Sequence, residues 1–283
     1  MQPAPFPRRA SGARLNPRGL RGANPLALNP DWVRRPSTLA PGDVFATDEL
    51  GRPDAVPRIQ AEAQAYNLRY NLPPIDHTYI GIDQRRGGRI ADAYNAMPLN
   101  DDANPAVAEA YGALAREVQQ QWASAVAHGM TFEAAVGDAD AYHDSVFEMV
   151  ADVRDHHHLW FFTGGEPNRF MARLDVATGL PVNDLFRAIH DYFGHCAMGA
   201  DFGVIGEENA WVAHSQMFTL TARRALTVET RGQNSWVNFG RQNYDLMGRY
   251  LNLPPTRRPF AVQKTGIFDG VNDWINQLPI NTP

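Results

Sequence analysis

From Asn104 to about His128, Val107, Tyr111, Leu114, Val118 and Trp122 recur at spacings of three and four, the repeat of one helix face. Asn104 offers a capping oxygen, and Pro105 is pre-set for the first helical position. A stripe of this width must be buried against other helices. Similar patterns are expected over 58–70 and in a segment capped by Asp144-Ser145 that carries Val146, Phe147, Met149, Val150 and Val153. Three more follow: one capped by Asn183 and stopping at Gly194, one over about 207–221, and one over about 223–251 interrupted near Gly232. Short strands are expected at 77–82, 131–136 and 159–162. Turns are expected in the Gly/Arg/Asp stretch after residue 82 and at Gly164-Gly165. The helices outnumber the strands and no βαβ alternation is read, which argues against a doubly wound sheet. The expected fold is mostly α with a few short strands.

The first 30 residues hold six prolines, five arginines and no acid. With a net charge of -5 for the whole chain, the remainder carries -10, that is -5 minus the arm's +5. Such a segment cannot bury enough apolar surface to offset its ordering entropy. Residues 1–55 are therefore expected to be a flexible basic Pro/Arg-rich arm, and 56–283 a single α-rich metal-binding domain. The arm is expected to dock on the acidic body, with nucleic-acid contact as the lesser alternative, because no aromatics interleave its charges. No run of about 18 apolar residues is present, so no membrane span is expected. The N-terminus lacks the apolar core of a secretory signal. Host cytoplasm or virion is the expected location.

Composition narrows the chemistry. Of the 26 basic residues, Lys264 is the single lysine, which removes Walker-type phosphate loops and leaves one amine for lysine chemistry. Cys196 is alone, so neither an internal disulfide nor a cysteine zinc site can form. Proton transfer must rest on His, Asp, Glu, Tyr or the one cysteine.

The segment His190-Asp191-Tyr192-Phe193-Gly194-His195 is the leading metal candidate. On an ideal helix its two histidines are about 140° apart. A left-handed Gly194 would end the helix and turn His195 back toward His190; the alternative is two unrelated histidines, one buried and one capping. Two imidazoles need a carboxylate to complete an Fe(II)-type triad. Glu207 and His214 share a helix face with Trp211 and Phe218, either at the site or as a buried hydrogen-bonded pair. Glu208 reads as a first-turn acid favoured by the helix dipole. Between Val228 and Trp236, Glu229, Arg231, Gln233 and Asn234 break the apolar pattern. That marks either site-lining groups or a structural polar network. Arg231 could hold a substrate carboxylate or phosphate with its fork. The run His156-His157-His158 cannot chelate one ion from regular structure, because adjacent side chains diverge. Cys196 reads as a small buried hydrophobe, and Gly199, Gly203 and Gly206 as shaping the loop between the two site helices.

The blocks HDYFGH, GEENAWVAHSQMF and ETRGQNSWVNFG, spanning 183–240, resemble an uncharacterised domain of large multi-domain bacteriophage and mobile-element proteins, with the similarity reaching from about 88 to about 266. That resemblance implies a phage or prophage setting. At motif level, HDYFGH followed by Thr227-Val228-Glu229 is similar to the core of the pterin-dependent aromatic amino acid hydroxylases, which are helical Fe(II) enzymes. The similarity implies His190, His195 and Glu229 as metal ligands, with Asp191 where that family has a glutamate beside the pterin. Asp191 is one carbon shorter, and the interval to Glu229 is shorter too. The resemblance therefore carries the metal triad, Fe(II) first and zinc second, and does not carry the pterin.

The expected function is a non-haem Fe(II)-type, oxygenase- or hydroxylase-like metalloenzyme acting on a small-molecule substrate. Asp191, Glu207 and His214 would assist catalysis; Arg231, Gln233, Asn234 and Trp236 would bind substrate. The alternatives are a metal-dependent hydrolase and a non-enzymatic virion-associated or injected protein within a phage assembly, holding a structural metal or polar core.

Overall fold

The computed structural model describes residues 52–135, 142, 145–163, 167–249, 251, 253 and 259–279. Residues 1–51 of the expected arm, the cap at Asp144, the Gly164-Gly165 turn and Pro254-Pro255 lie outside these. Among the described residues the chain is mostly helical, with one two-stranded sheet. The helices are α1 (Pro57–Arg69), α2 (Gln84–Ala96), α3 (Pro105–Ala127), α4 (Val146–His156), α5 (Val182–His190), α6 (Val204–Ser215), α7 (Leu220–Thr227) and α8 (Gln233–Phe239).

The central helix is α3, capped by the Asn104 side chain on the Ala106 N–H with Pro105 in its first turn. It packs against α5 and α7. Val107, Tyr111, Leu114 and Val118 are fully buried along its stripe. Strands β1 (Thr131–Ala135) and β2 (His158–Phe162) pair in parallel, Thr131 opposite His158, and α4 connects them. This is a lone βαβ unit, not the start of a wound sheet. Asp152 on α4 accepts from Tyr142 Oη and binds Nδ1 of both His156 and His158, at 3.0 and 2.7 Å. The histidine run thus closes the α4–β2 corner.

Several boundaries differ from those read in the sequence. The stretch after residue 82 is not a turn region but α2, capped by Asp83 on the Arg85 N–H. Its glycine pair suggested a turn, yet Gly87 lies against α8, and a Cβ there would come within 2.3 Å of the Phe239 ring. Glycine is present for close packing, despite its low helix propensity. No strand forms at 77–82. Instead the Asn209 side-chain amide pairs with both the N–H and the carbonyl of Ile80, each at 2.8 Å. The cap of α5 is Pro181, with no side-chain cap bond, and Asn183 is inside the helix. The stretch expected to be helical to about 251 ends as α-helix at Phe239, before Gly240, where the Gln242 and Asn243 side chains cover the Trp236 and Val237 carbonyls; 3-10 turns follow at Arg241–Asn243 and Gly270–Asn276.

Two helical runs widen into π turns, at Asp191–Cys196 after α5 and at Val228–Gly232 between α7 and α8. Single π turns within helices concentrate at functional sites.

Candidate metal centre

The first π turn changes the geometry of the HDYFGH block. In a π turn the backbone bonds run from i to i+5, so residues five apart lie nearly one above the other. His190 and His195 are therefore brought together with ring centroids 5.3 Å apart. Gly194 is not left-handed and does not end the helix; it is inside the π turn and the run ends at Gly199, where φ is +59°. What requires a glycine at 194 is α6. A Cβ would lie 3.0 Å from the Ala210 carbonyl oxygen.

That close approach brings Glu207 of α6 to the histidines. Ligand atoms of His190, His195 and Glu207 all lie within 4.8 Å of one another. The three residues are 2, 0 and 3% exposed. Glu207 Oε2 is 3.6 Å from His195 Nε2, too long for a hydrogen bond. Both Glu207 oxygens and the Nε2 atoms of both histidines are buried without a hydrogen-bond partner.

Their surroundings fix which imidazole nitrogens are already occupied. His195 Nδ1 is 3.0 Å from the Ala200 carbonyl, which only accepts, so Nδ1 carries a hydrogen and Nε2 is the nitrogen left to take a proton or an ion. His190 is set by a longer relay. Gln121 Nε2 donates to the Met217 carbonyl at 3.0 Å, which orients Gln121 Oε1 toward His214 Nε2 at 2.7 Å. His214 Nε2 must then donate, leaving its Nδ1 to accept from His190 Nδ1 at 3.1 Å. By this assignment His190 Nε2 is bare. Two imidazole Nε2 atoms and a carboxylate thus face one another, each imidazole oriented through its other nitrogen, as in metal sites. The residues present fit a divalent ion.

Electrostatics keep His190 and His214 neutral and leave between His195 and Glu207 the proton that an ion would displace. Burial pushes His190 well below its usual range, helped by His214 and His195, and takes His214 down to about 3. Burial lifts Glu207 to about 8, against the pull of His195. Burial also penalises charged His195, but Glu207, Asp191 and the Ala200 carbonyl together raise it to about 9, so without an ion its Nε2 holds a proton toward Glu207. Buried Asp191 adds negative field to both. Phe186 stacks near His190 and Phe202 packs edge-on to His195, giving an apolar wall.

Other residues named from the sequence lie in separate networks. Glu229 Oε1 accepts from Tyr111 Oη at 2.6 Å and Asn168 Nδ2 at 2.8 Å, and its Oε2 accepts from Gln263 Nε2 at 2.8 Å. The carboxylate grouped with the histidines is Glu207. Arg231 is 1% exposed and grips Glu208 through Nε and Nη2, donates from Nη1 to the Ile275 and Gln277 carbonyls, and stacks on Trp211. Glu208 is therefore more than a helix-dipole acid. Gln233 bonds Gln263, Asn234 bonds the Val204 carbonyl and Asn238, and Trp236 donates to Asn95. Lys264, the lone lysine, donates to the Asn95 and Met97 carbonyls at the end of α2, at 2.9 and 2.6 Å. Cys196 is fully buried, and that burial pushes its thiol up. Gln121 and Ala200 escaped the sequence reading; nothing in a glutamine on an amphipathic helix or an alanine in a loop marks a partner of a histidine.

Comparison with family models, curated proteins and solved structures finds no match to this chain.

Proposed function

We propose that the protein is a mononuclear metalloenzyme of the two-histidine, one-carboxylate kind, holding a divalent ion on His190, His195 and Glu207. One observation carries this reading. One ligand atom each of His190, His195 and Glu207 lies within 4.8 Å of the others, and both Nε2 atoms and both carboxylate oxygens are buried without a hydrogen-bond partner, whereas buried polar groups are almost always satisfied.

The donor set suits Fe(II), with zinc as the second ion. Such an ion supplies Lewis-acid chemistry and, if iron, oxidation of a small-molecule substrate by O2, as in oxygenases and hydroxylases. The chain's own contribution is orientation and exclusion of water. The Ala200 carbonyl holds His195, and the His214–Gln121 relay holds His190. Phe186 and Phe202 keep the surroundings apolar, and Asp191 supports the positive charge gathered there.

Anaerobic reconstitution with Fe(II) should give about one ion per chain by metal analysis, lost in His190→Ala and Glu207→Ala. Retention of the ion in Glu229→Gln assigns the third ligand to Glu207. A wild-type chain that takes up neither Fe(II) nor zinc ends the proposal. Substrate-dependent O2 uptake separates an oxygenase from a metal-dependent hydrolase. A second reading rests on burial, since all three groups are at most 3% exposed. That depth suits a closed structural ion in a non-enzymatic, virion-associated protein. Azide added to the Co(II)-substituted protein distinguishes the two, because it changes the visible spectrum only where a coordination position is open.

A further inference from the structure

We infer that a groove at the N-terminal end of α2 binds the phosphoryl group of a small ligand. The groove has a volume of about 430 Å³ and is lined by Arg85, Arg86, Arg89, Asp83, Trp274 and Gln277, among others. It is separate from the metal-ligand cluster and shares no residue with it.

Three arginines line the groove. Arg85 and Arg89 are one helical turn apart with Arg86 beside them, an arrangement that repels itself on a bare helix. None of the three makes an ion pair among the described residues. Arg86 Nε is buried without a hydrogen-bond partner. The Trp274 ring holds two of the groups in place, with Arg89 4.6 Å and Arg86 5.7 Å from its centroid. The one acid named on the wall, Asp83, has its carboxylate on the Arg85 N–H as the helix cap. The opposite wall is anchored too, because the Gln277 carbonyl accepts from buried Arg231 at 3.3 Å.

Three unpaired arginines on one groove, one of them with an unsatisfied Nε, are completed by an anion rich in acceptors. A phosphoryl group offers three terminal oxygens and two charges, against two oxygens and one charge for a carboxylate. The positive end of the α2 dipole adds to the attraction. Leu278 and Pro279 give the groove an apolar edge for the organic part of the ligand. A concave volume of this size falls within the range of small-molecule sites, about 300–1,000 Å³.

The experiment is calorimetric titration of the full chain with inorganic pyrophosphate, repeated with citrate and with a single-stranded oligonucleotide. Pyrophosphate should bind. Arg86→Gln and Arg89→Gln should each weaken binding by roughly tenfold, the loss of one charge-assisted contact. Arg85→Gln, at an exposed position, provides the same readout if either of the others fails to fold. Glu207→Gln should leave pyrophosphate affinity unchanged, which keeps this site independent of the metal reading. Absence of pyrophosphate binding, or binding unaffected by all three substitutions, overturns the proposal. Citrate binding as tightly overturns the phosphoryl assignment, and binding confined to the oligonucleotide overturns the small-ligand assignment.

Discussion

Glu207 and Glu208 are neighbours on α6, 3 and 2% exposed, yet their surroundings are opposite. Glu208 is gripped by Arg231, which is itself stacked on Trp211 and bonded to two carbonyls. Glu207 has only an imidazole 3.6 Å away, and neither of its oxygens has a hydrogen-bond partner. The first arrangement is complete without a ligand. The second buries a carboxylate at a penalty that His195 relieves only in part, and such penalties persist where a ligand offsets them. Burial alone therefore does not separate structural from functional acids; satisfaction does.

The largest effect should come from breaking the satisfied pair. Arg231→Ala leaves Glu208 buried and uncompensated, and should lower unfolding stability by about 3–5 kcal/mol in chemical denaturation. Replacing both partners, as in Arg231→Met with Glu208→Leu, should recover most of that loss. If the single variant is as stable as wild type, the pair is not the anchor the contrast makes it.

Glu229 stands between the two cases, satisfied by neutral donors. Burial lifts it from 4.5 to about 7, opposed by its bonds from Tyr111, Gln263 and Asn168 and by the Arg187 charge. The folded chain then keeps a proton that the unfolded chain releases above about 4.5. Stability should accordingly fall as pH rises from about 4.5 to about 7, by on the order of 3 kcal/mol. Glu229→Gln should flatten that slope. It is read as the difference from wild type, because buried His190 and His214, both pushed down, tilt the curve the opposite way below about 6.5.

For the unsatisfied acid the expected behaviour is inverted. Glu207→Gln should leave the metal-free chain as stable as before or more so, in contrast to Arg231→Ala. Adding Fe(II) or zinc at a hundredfold excess over Kd should stabilise wild type by about 2.7 kcal/mol in thermal unfolding and leave His190→Ala unmoved. Equal stabilisation of the two would place the ion elsewhere.

Smaller again is the relay. Gln121→Leu removes the acceptor that fixes His214 and, through it, His190. Metal affinity should drop about 10–100-fold in competition with a chromophoric chelator, while the ligands themselves remain. The exposed Arg241–Asp92 pair, 88 and 54% exposed, sets the baseline. Arg241→Ala should produce no resolvable change in the unfolding midpoint, as exposed ion pairs contribute little.

The sequence by itself determined the helices with strong local signals. Asn104-Pro105 with its apolar stripe placed α3, and the same periodicity placed α1 and α4, because caps and a 3.6-residue repeat are properties of neighbouring residues. It also singled out His190 and His195 as a pair, and Glu207 and His214 as sharing a face. Local signals misled where packing overrode them. The Gly87-Gly88 pair reads as a turn, but Phe239 needs the space beside Gly87. Asn209 replaces a strand partner for Ile80 from 129 residues away. Only the tertiary structure decided how the two histidines meet, since a π turn has no sequence signature of its own and here accompanies the tight seating of Gly194 on Ala210. It also decided which acid joins them. Glu207, Glu208 and Glu229 are all buried glutamates on helical segments. What separates them is whether an arginine, a tyrosine or only a histidine beyond hydrogen-bond reach lies opposite. That depends on long-range packing, which residue type and local spacing do not encode.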